Sequence, residues 1–331
     1  MNGKIRWGIL GLGNIAKKFA ADLKLVENAE LLAVGSRDIT KAKAFAAEFS
    51  ASKAYGSYQE LVEDPHIDVI YVATPHSHHY ENVLLCLNNS KAVLCEKAFA
   101  VNSRQAEEMI KLAREKDIFL MEALWTKFLP HHKKLMQLLS EGLIGDVRSV
   151  LINFGFRPRT PVPARLFDPA LAGGTLLDIG IYNVFTAVSV LGNPDSIDAH
   201  ITPSASGIDE QCAILFKYNN GAMAQLFSSF VSDLPTEAEI NGTKGRIKLT
   251  TRFYAPESTI EFYPGRTDTL QKIPFEKDSE GFGYQYEIRH VNECLLKGLK
   301  ESPVISLNET LQRTQLLDAI RKKAGIVYPE D

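Results

Sequence analysis

Residues 4–16 read KIRWGILGLGNIA. An apolar run with strand spacing stops at Gly11 and gives way to helical spacing by Ile15. A strand that must turn into a helix within the pattern G-x-G-x-x-A leaves few folds open. Gly11 permits the tight turn, Gly13 leaves the backbone bare enough for a pyrophosphate to approach, and Ala16 lets the helix lie close to the strand. The first amide groups of the new helix, around Asn14 and Ile15, then face the phosphates, because they lack intrahelical acceptors and sit at the positive end of the helix dipole. Small residues also occur in any tight strand-to-helix turn, so the neighbouring sequence decides.

That neighbouring sequence continues the alternation. A helix at 15–26 and a strand at 29–36 (AELLAVGS) complete a βαβ unit. Binders of NAD place Asp or Glu at the end of this second strand for the ribose 2′-hydroxyl. Here the strand ends Gly35-Ser36-Arg37. A guanidinium makes paired, charge-assisted contacts with phosphate and Ser36 adds a hydroxyl donor, so the pattern favours NADP over NAD. A solvated arginine beside a turn is the alternative. Asp38 can serve as an N-cap for the helix that begins near Thr40, read over 42–49, and is not counted as a ribose ligand. Strands at 54–55, 68–73, 92–95 and 118–121 then alternate with helices at 58–63, 80–88 and 103–116, which predicts an α/β, doubly wound parallel sheet of the Rossmann type ending near residue 123. Ligands of such sheets bind beyond the carboxyl ends of the strands. At those ends stand Thr74-Pro75-His76-Ser77-His78-His79 and Glu96-Lys97. The three histidines lack a cysteine or carboxylate at a recognised zinc spacing, so no metal is expected, and a helix start with one substrate-facing histidine is the better reading.

A chain of 331 residues exceeds one hydrophobic core, and residues 124–331 differ in style from the first part. After a helix at 130–141, strands at 147–156, 211–218, 222–230 and 236–240 alternate apolar with polar residues between short turns, and Asn219-Asn220-Gly221 reads as a hairpin turn. The pattern predicts an α+β domain with a large, mostly antiparallel open sheet. Its apolar face must be covered by helices or by a second copy of the chain, hence an expected homodimer. One long helix is predicted at 174–191. Four residues separate Asp178 from Tyr182, so a carboxylate and a phenol share one helix face, although Tyr182 as core aromatic and Asp178 as a helix-dipole partner remain open. A formal charge of -3 gives no basic field for nucleic acid or membrane, which leaves a small-molecule partner. No apolar run is read as long enough to span a membrane. Four cysteines without a C-x-x-C pair, and no leader-like start, fit a reducing cytoplasm.

Gly11 to Ala16, Glu96-Lys97 and Asp178-Ile179-Gly180-Ile181-Tyr182 together resemble the glucose-fructose oxidoreductase/inositol dehydrogenase (Gfo/Idh/MocA) family over essentially the whole chain. More narrowly, residues 121–126 (MEALWT), 144–148 (IGDVR) and 165–169 (RLFDP) look like its branch containing trans-dihydrobenzenediol dehydrogenase and NADP-dependent xylose dehydrogenases. The resemblance implies a two-domain oxidoreductase that moves hydride between a nicotinamide and a secondary alcohol carbon of a sugar, polyol or trans-dihydrodiol, with substrate between the domains. Position by position, it implies that Lys97 is the substrate lysine, Asp178 the pocket carboxylate and Tyr182 the phenol that this branch has where most relatives have histidine. It further places His76, Trp125, Arg148 and Phe154 in the substrate pocket, and Thr74, Pro75, His76, Glu96 and Lys97 beside the cofactor. The family's Glu-Lys-Pro reads Glu96-Lys97-Ala98 here, which leaves the geometry of the bond after Lys97 open. The chemistry needs such groups: hydride leaves a carbinol carbon readily only when a positioned base removes the hydroxyl proton. A phenol ordinarily ionises near pH ~10, and a neighbouring ammonium and a positive nicotinamide favour its anion. Lys97 supplies that ammonium, or transfers the proton itself. The alternative is a non-catalytic regulator that senses the NADP pool, since a fold alone does not establish activity.

Overall fold

In the computed structural model, which describes residues 3–267 and 269–331, the chain divides into two units. The first is built from β1 (Ile5–Leu10), α1 (Asn14–Leu23), β2 (Ala29–Gly35), α2 (Ile39–Phe49), β3 (Lys53–Tyr55), α3 (Tyr58–Glu63), β4 (Val69–Val72), α4 (His79–Asn88), β5 (Ala92–Glu96), α5 (Ser103–Glu115) and β6 (Leu120–Ala123). The six strands are parallel in the order β3-β2-β1-β4-β5-β6, so the order reverses beside β1, where open α/β sheets bind their ligands. Every residue of β4 and β5 is buried, as the apolar composition of strands covered on both faces requires. The helices start where small polar residues capture orphan amide groups. Asp38 accepts from the Thr40 and Lys41 amides as expected, Ser57 from Glu60, and Asn102 from Gln105.

The second unit contains α6 (Pro130–Ser140), β7 (Val147–Gly155), a π-helical turn at Leu176–Gly180 that runs into α7 (Ile181–Leu191), and then β8 (Ser196–Pro203), β9 (Asp209–Lys217), β10 (Met223–Ser229), β11 (Glu237–Gly242), β12 (Gly245–Thr250), β13 (Thr259–Pro264) and β14 (Gln271–Ile273). The sheet order is β14-β13-β12-β11-β7-β10-β9-β8, antiparallel throughout except between β7 and β10. Gly221, at φ 82°, makes the β9–β10 turn, and Tyr218 and Ala222 close it by a backbone hydrogen bond. Along β7, Val150, Ile152 and Phe154 are buried while Leu151 and Asn153 are exposed, so one face is core. Helix α7 lies against β7 and β10. The other face displays Leu151, Met223 and Gln225 to solvent.

Three expectations need correction. The division at residue 123 is right for the parallel sheet but not for the chain, because residues 278–314 return to the first unit. Helix α8 (Tyr284–Leu296) is bonded there: Asn292 accepts from the Trp7 indole at 3.0 Å, and the Asp22 carboxylate accepts from the amides of Phe282 and Tyr284 at 2.8 Å. Helix α9 (Leu307–Ala324) begins in the first unit and ends in the second. Next, the helix expected at 174–191 is present, but its first turn is π-type. Finally, Pro169–Leu191 does reach the length and apolarity of a membrane span, contrary to the sequence reading, and 78% of its most apolar window is buried inside the protein, as in a core helix.

Candidate active site

In the first unit, the strand-to-helix turn is shaped for an anion. Gly11 has φ 91°, and a Cβ there would lie 3.0 Å from the Ala73 backbone and the Thr74 side chain, so only glycine fits. A Cβ at Gly13 would meet nothing within 4 Å, and no side chain caps the helix that Gly13 opens. The first amide groups of α1, beside the exposed Asn14, thus have no side-chain cap, which fits a dinucleotide phosphate. At the end of β2, Arg37 is exposed, while Ser36 Oγ accepts from the Asp38 amide at 3.2 Å and keeps its own O–H to donate.

The ends of β4 and β5 are paired neighbours, which brings Thr74-Pro75-His76 beside the Lys97 loop. His79 ties the two together. Its ring nitrogens lie 2.7 Å from the Ala98 carbonyl and 2.9 Å from the Thr74 carbonyl, and Asn82 fixes the same turn by donating to His78 O at 2.7 Å. Burial lowers the His79 pKa to about 4 against the pull of those carbonyls, which favour the protonated ring. With both nitrogens so engaged, His79 has none to offer a metal. The Lys97–Ala98 bond is cis. The Glu96 carboxylate accepts from the Tyr71 hydroxyl and the Lys97 amide, so it holds the lysine's backbone. Burial pushes the Glu96 pKa up, with Lys97 opposing. His76 is buried in the 3-10 turn before α4, and Trp125 stacks on Tyr284 with ring centroids 4.7 Å apart.

In the second unit, Asp178 and Tyr182 are buried in consecutive turns at 8% and 6% exposure. Arg165 reaches Asp178 at 3.1 Å. The Tyr182 ring lies 4.6 Å from that of Tyr254, which in turn stacks on Phe154 at 4.5 Å. The start of the π turn is fixed by Asp209, whose Oδ2 accepts from the Leu176 amide and the Thr175 hydroxyl, each at 2.7 Å. The structure thus gathers Asp178, Tyr182 and Phe154. It does not gather Arg148, which shares their face of β7 only by parity. Six residues of strand, about 20 Å, separate Arg148 from Phe154. Its guanidinium is exposed and bonds Asp146 at 3.1 Å and the Asn220 carbonyl at 3.4 Å. Tyr254, Asp209 and His79 were given no role in the sequence. Asp209 and Tyr254 lie in strand and loop segments without distinctive spacing, and Arg165, inside the RLFDP stretch, was the one visible signal.

Comparison with known proteins agrees with this construction. Residues 5–124 match the Gfo/Idh/MocA oxidoreductase family, NAD-binding Rossmann fold, and residues 132–248 match the Gfo/Idh/MocA C-terminal domain. The chain is 39% identical over 333 residues to trans-1,2-dihydrobenzene-1,2-diol dehydrogenase of Sus scrofa, covering 99% of both chains, and 40% identical to that of Xenopus laevis, covering 98% of this chain and 99% of the relative. Among solved structures it resembles a 3-ketoreductase from Actinomadura kijaniata in complex with TDP-benzene and NADP, with 26% identity, a TM-score of 0.86 and coverage of 97% and 98%. Aldose-aldose oxidoreductase from Caulobacter crescentus, at 24% identity, a TM-score of 0.88 and the same coverage, shares the fold. The chain belongs to the Gfo/Idh/MocA family of oxidoreductases and is a dehydrogenase acting on CH–OH groups.

Proposed function

We propose that this dehydrogenase uses NADP to transfer hydride to or from a secondary alcohol carbon of a sugar, polyol or trans-dihydrodiol. The observation that carries the reading is the Tyr182 phenol, buried within an aromatic nest one turn from the Asp178 carboxylate. Its setting suits a proton acceptor that must be held still and kept from bulk water. The nicotinamide, when bound, supplies the hydride chemistry. Tyr182 takes the hydroxyl proton as the carbonyl forms, and Lys97 serves as the substrate lysine. Asp178, oriented by Arg165, accepts a hydrogen bond from a second substrate hydroxyl. Phe154 offers an apolar surface, which suits one face of a dihydrodiol ring or the C–H face of a sugar. NADP rather than NAD follows from Arg37 and Ser36 in the place of an acidic residue, and the ketoreductase crystallised with NADP supports it.

We further propose a homodimer formed across the open sheet face around Leu151 and Met223, and a cytoplasmic setting, supported by the buried thiols of Cys86, Cys95, Cys212 and Cys294. A sedimenting monomer at micromolar concentration would overturn the dimer. Turnover with NADP across a panel of sugars, polyols and trans-dihydrodiols, followed by cofactor absorbance, tests the activity. Tight NADP binding without turnover on any of them would instead favour a regulator.

A further inference from the structure

We infer that Tyr254 is a positioning residue for the reaction, fixing the plane of the Tyr182 phenol by stacking upon it. The inference rests on the catalytic reading of Tyr182. Its basis is the geometry of three rings. Tyr254 stands 4.6 Å from Tyr182 at 29° and 4.5 Å from Phe154 at 20°, while Phe154 and Tyr182 are 6.3 Å apart. Tyr254 is thus the middle ring, and its contact with Tyr182 is a stacking distance that admits no substrate between them. Phe253 meets both Tyr254 and Phe154 edge-on, at 76° and 84°.

The backbone that presents Tyr254 is held at two successive carbonyls by buried or part-buried side chains. The Thr126 hydroxyl donates to the Tyr254 carbonyl at 2.8 Å, and His131 Nε2 lies 2.8 Å from the Phe253 carbonyl. With burial lowering its pKa to about 4, His131 is the neutral ring, and Nε2 is the nitrogen that carries the proton. The chain enters this anchored stretch through Thr251 and Arg252, both in the left-handed region at φ 53° and 62°. A surface loop needs none of this. The anchoring matters because a phenol held by its own two side-chain torsions alone can swing its oxygen by more than an ångström. Displacement of that order at a reacting group lowers rate by roughly a hundredfold. Tyr254's own hydroxyl stays protonated, burial pushing its pKa up to about 12 with Asp178 adding to the effect. It is therefore no rival base.

The test compares Tyr254→Leu and Tyr254→Phe with the parent under NADP saturation. Loss of the stack is expected to lower kcat in Tyr254→Leu by about ten- to a hundredfold, with the Kd for NADP unchanged. Tyr254→Phe, which keeps the ring, is expected to restore kcat close to the parent. Parent-like kcat in Tyr254→Leu, or a Phe variant as impaired as Leu, overturns the inference. If Tyr254→Leu melts below the assay temperature, Tyr254→Met, which fills similar space without a ring, is read the same way. Absence of turnover in the parent would sink the activity itself, so the two failures are distinguishable.

Discussion

Asp209, at the start of β9, holds the Leu176 amide at 2.7 Å and thereby anchors the turn that carries Asp178. The fit is close enough that a Cβ on the neighbouring Gly174, itself at φ 115°, would fall 2.1 Å from Asp209 Oδ1. Asp209→Ala leaves the Leu176 amide and the Thr175 hydroxyl buried without this acceptor. Each such group costs about 1–3 kcal/mol, so urea unfolding should show a loss of that order, accompanied by lower turnover. Burial raises the Asp209 pKa from 3.8 to about 6, over the opposition of its hydrogen bonds. The folded pKa lies above the unfolded one, so this group's contribution to stability is complete below about pH 4 and is lost as pH rises through about 6. Asp209→Asn should remove that part of the slope.

The buried histidines act with the opposite sign. Burial lowers the pKa of His131 to about 4 and of His132 to about 3. The unfolded chain therefore binds these protons first, and the stability the neutral rings contribute above about pH 6.5 is lost as pH falls toward 4. His132 packs against Phe185 at 5.0 Å, so His132→Leu keeps an apolar contact while removing a titrating group. Between pH 7.5 and 5 the variant should lose less stability than the parent. A parallel decline in both proteins would show that His132 does not titrate in this way.

Arg37→Ala should weaken NADP binding by about ten- to a hundredfold, the equivalent of the 1.5–3 kcal/mol typical of hydrogen bonds to charged groups. NAD has no 2′-phosphate and should bind Arg37→Ala about as it binds the parent. Calorimetry with both cofactors separates this from general damage to the turn. Equal loss for NAD and NADP would place Arg37 outside the 2′-phosphate site.

The first unit was legible because its signals are local. A β4 of unbroken apolar residues, the Gly11 turn and the Asp38 cap each announce themselves within a few residues. The return of α8 was hidden, since an amphipathic helix does not declare which sheet it covers. The bond from the Trp7 indole to Asn292 joins residues at opposite ends of the chain. The pairing of Asp178 with Tyr182 followed from helical spacing even though the turn proved π-type. Arg148 was read from the resemblance alone, and about 20 Å of strand separates it from Phe154. Tyr254 had no periodic partner at all, because its neighbours Tyr182 and Phe154 come from a helix and from a strand far back in sequence.

Lys97→Met and Tyr182→Phe should each abolish most turnover while leaving NADP affinity nearly intact. The Lys97 backbone is held by Glu96, and the lysine follows directly on β5, which is separated from β1 and its turn into α1 by β4. Tyr182 belongs to the second unit and the Gly11–Gly13 turn to the first. Methionine keeps the length of the lysine stem but not its charge, and phenylalanine keeps the stack on Tyr254 but not the hydroxyl. Loss of an acid or base acting in the transition state lowers rate by about a hundred- to ten-thousandfold. Residues that act as one unit in a reaction are strongly non-additive, so the double variant should be little worse than the poorer single one. If Tyr182 were core packing alone, Tyr182→Phe would instead lower the melting temperature while each folded molecule kept its activity. Turnover, NADP affinity and thermal melting of the three variants therefore decide the roles, and near-normal turnover in Tyr182→Phe would remove the phenol from the mechanism.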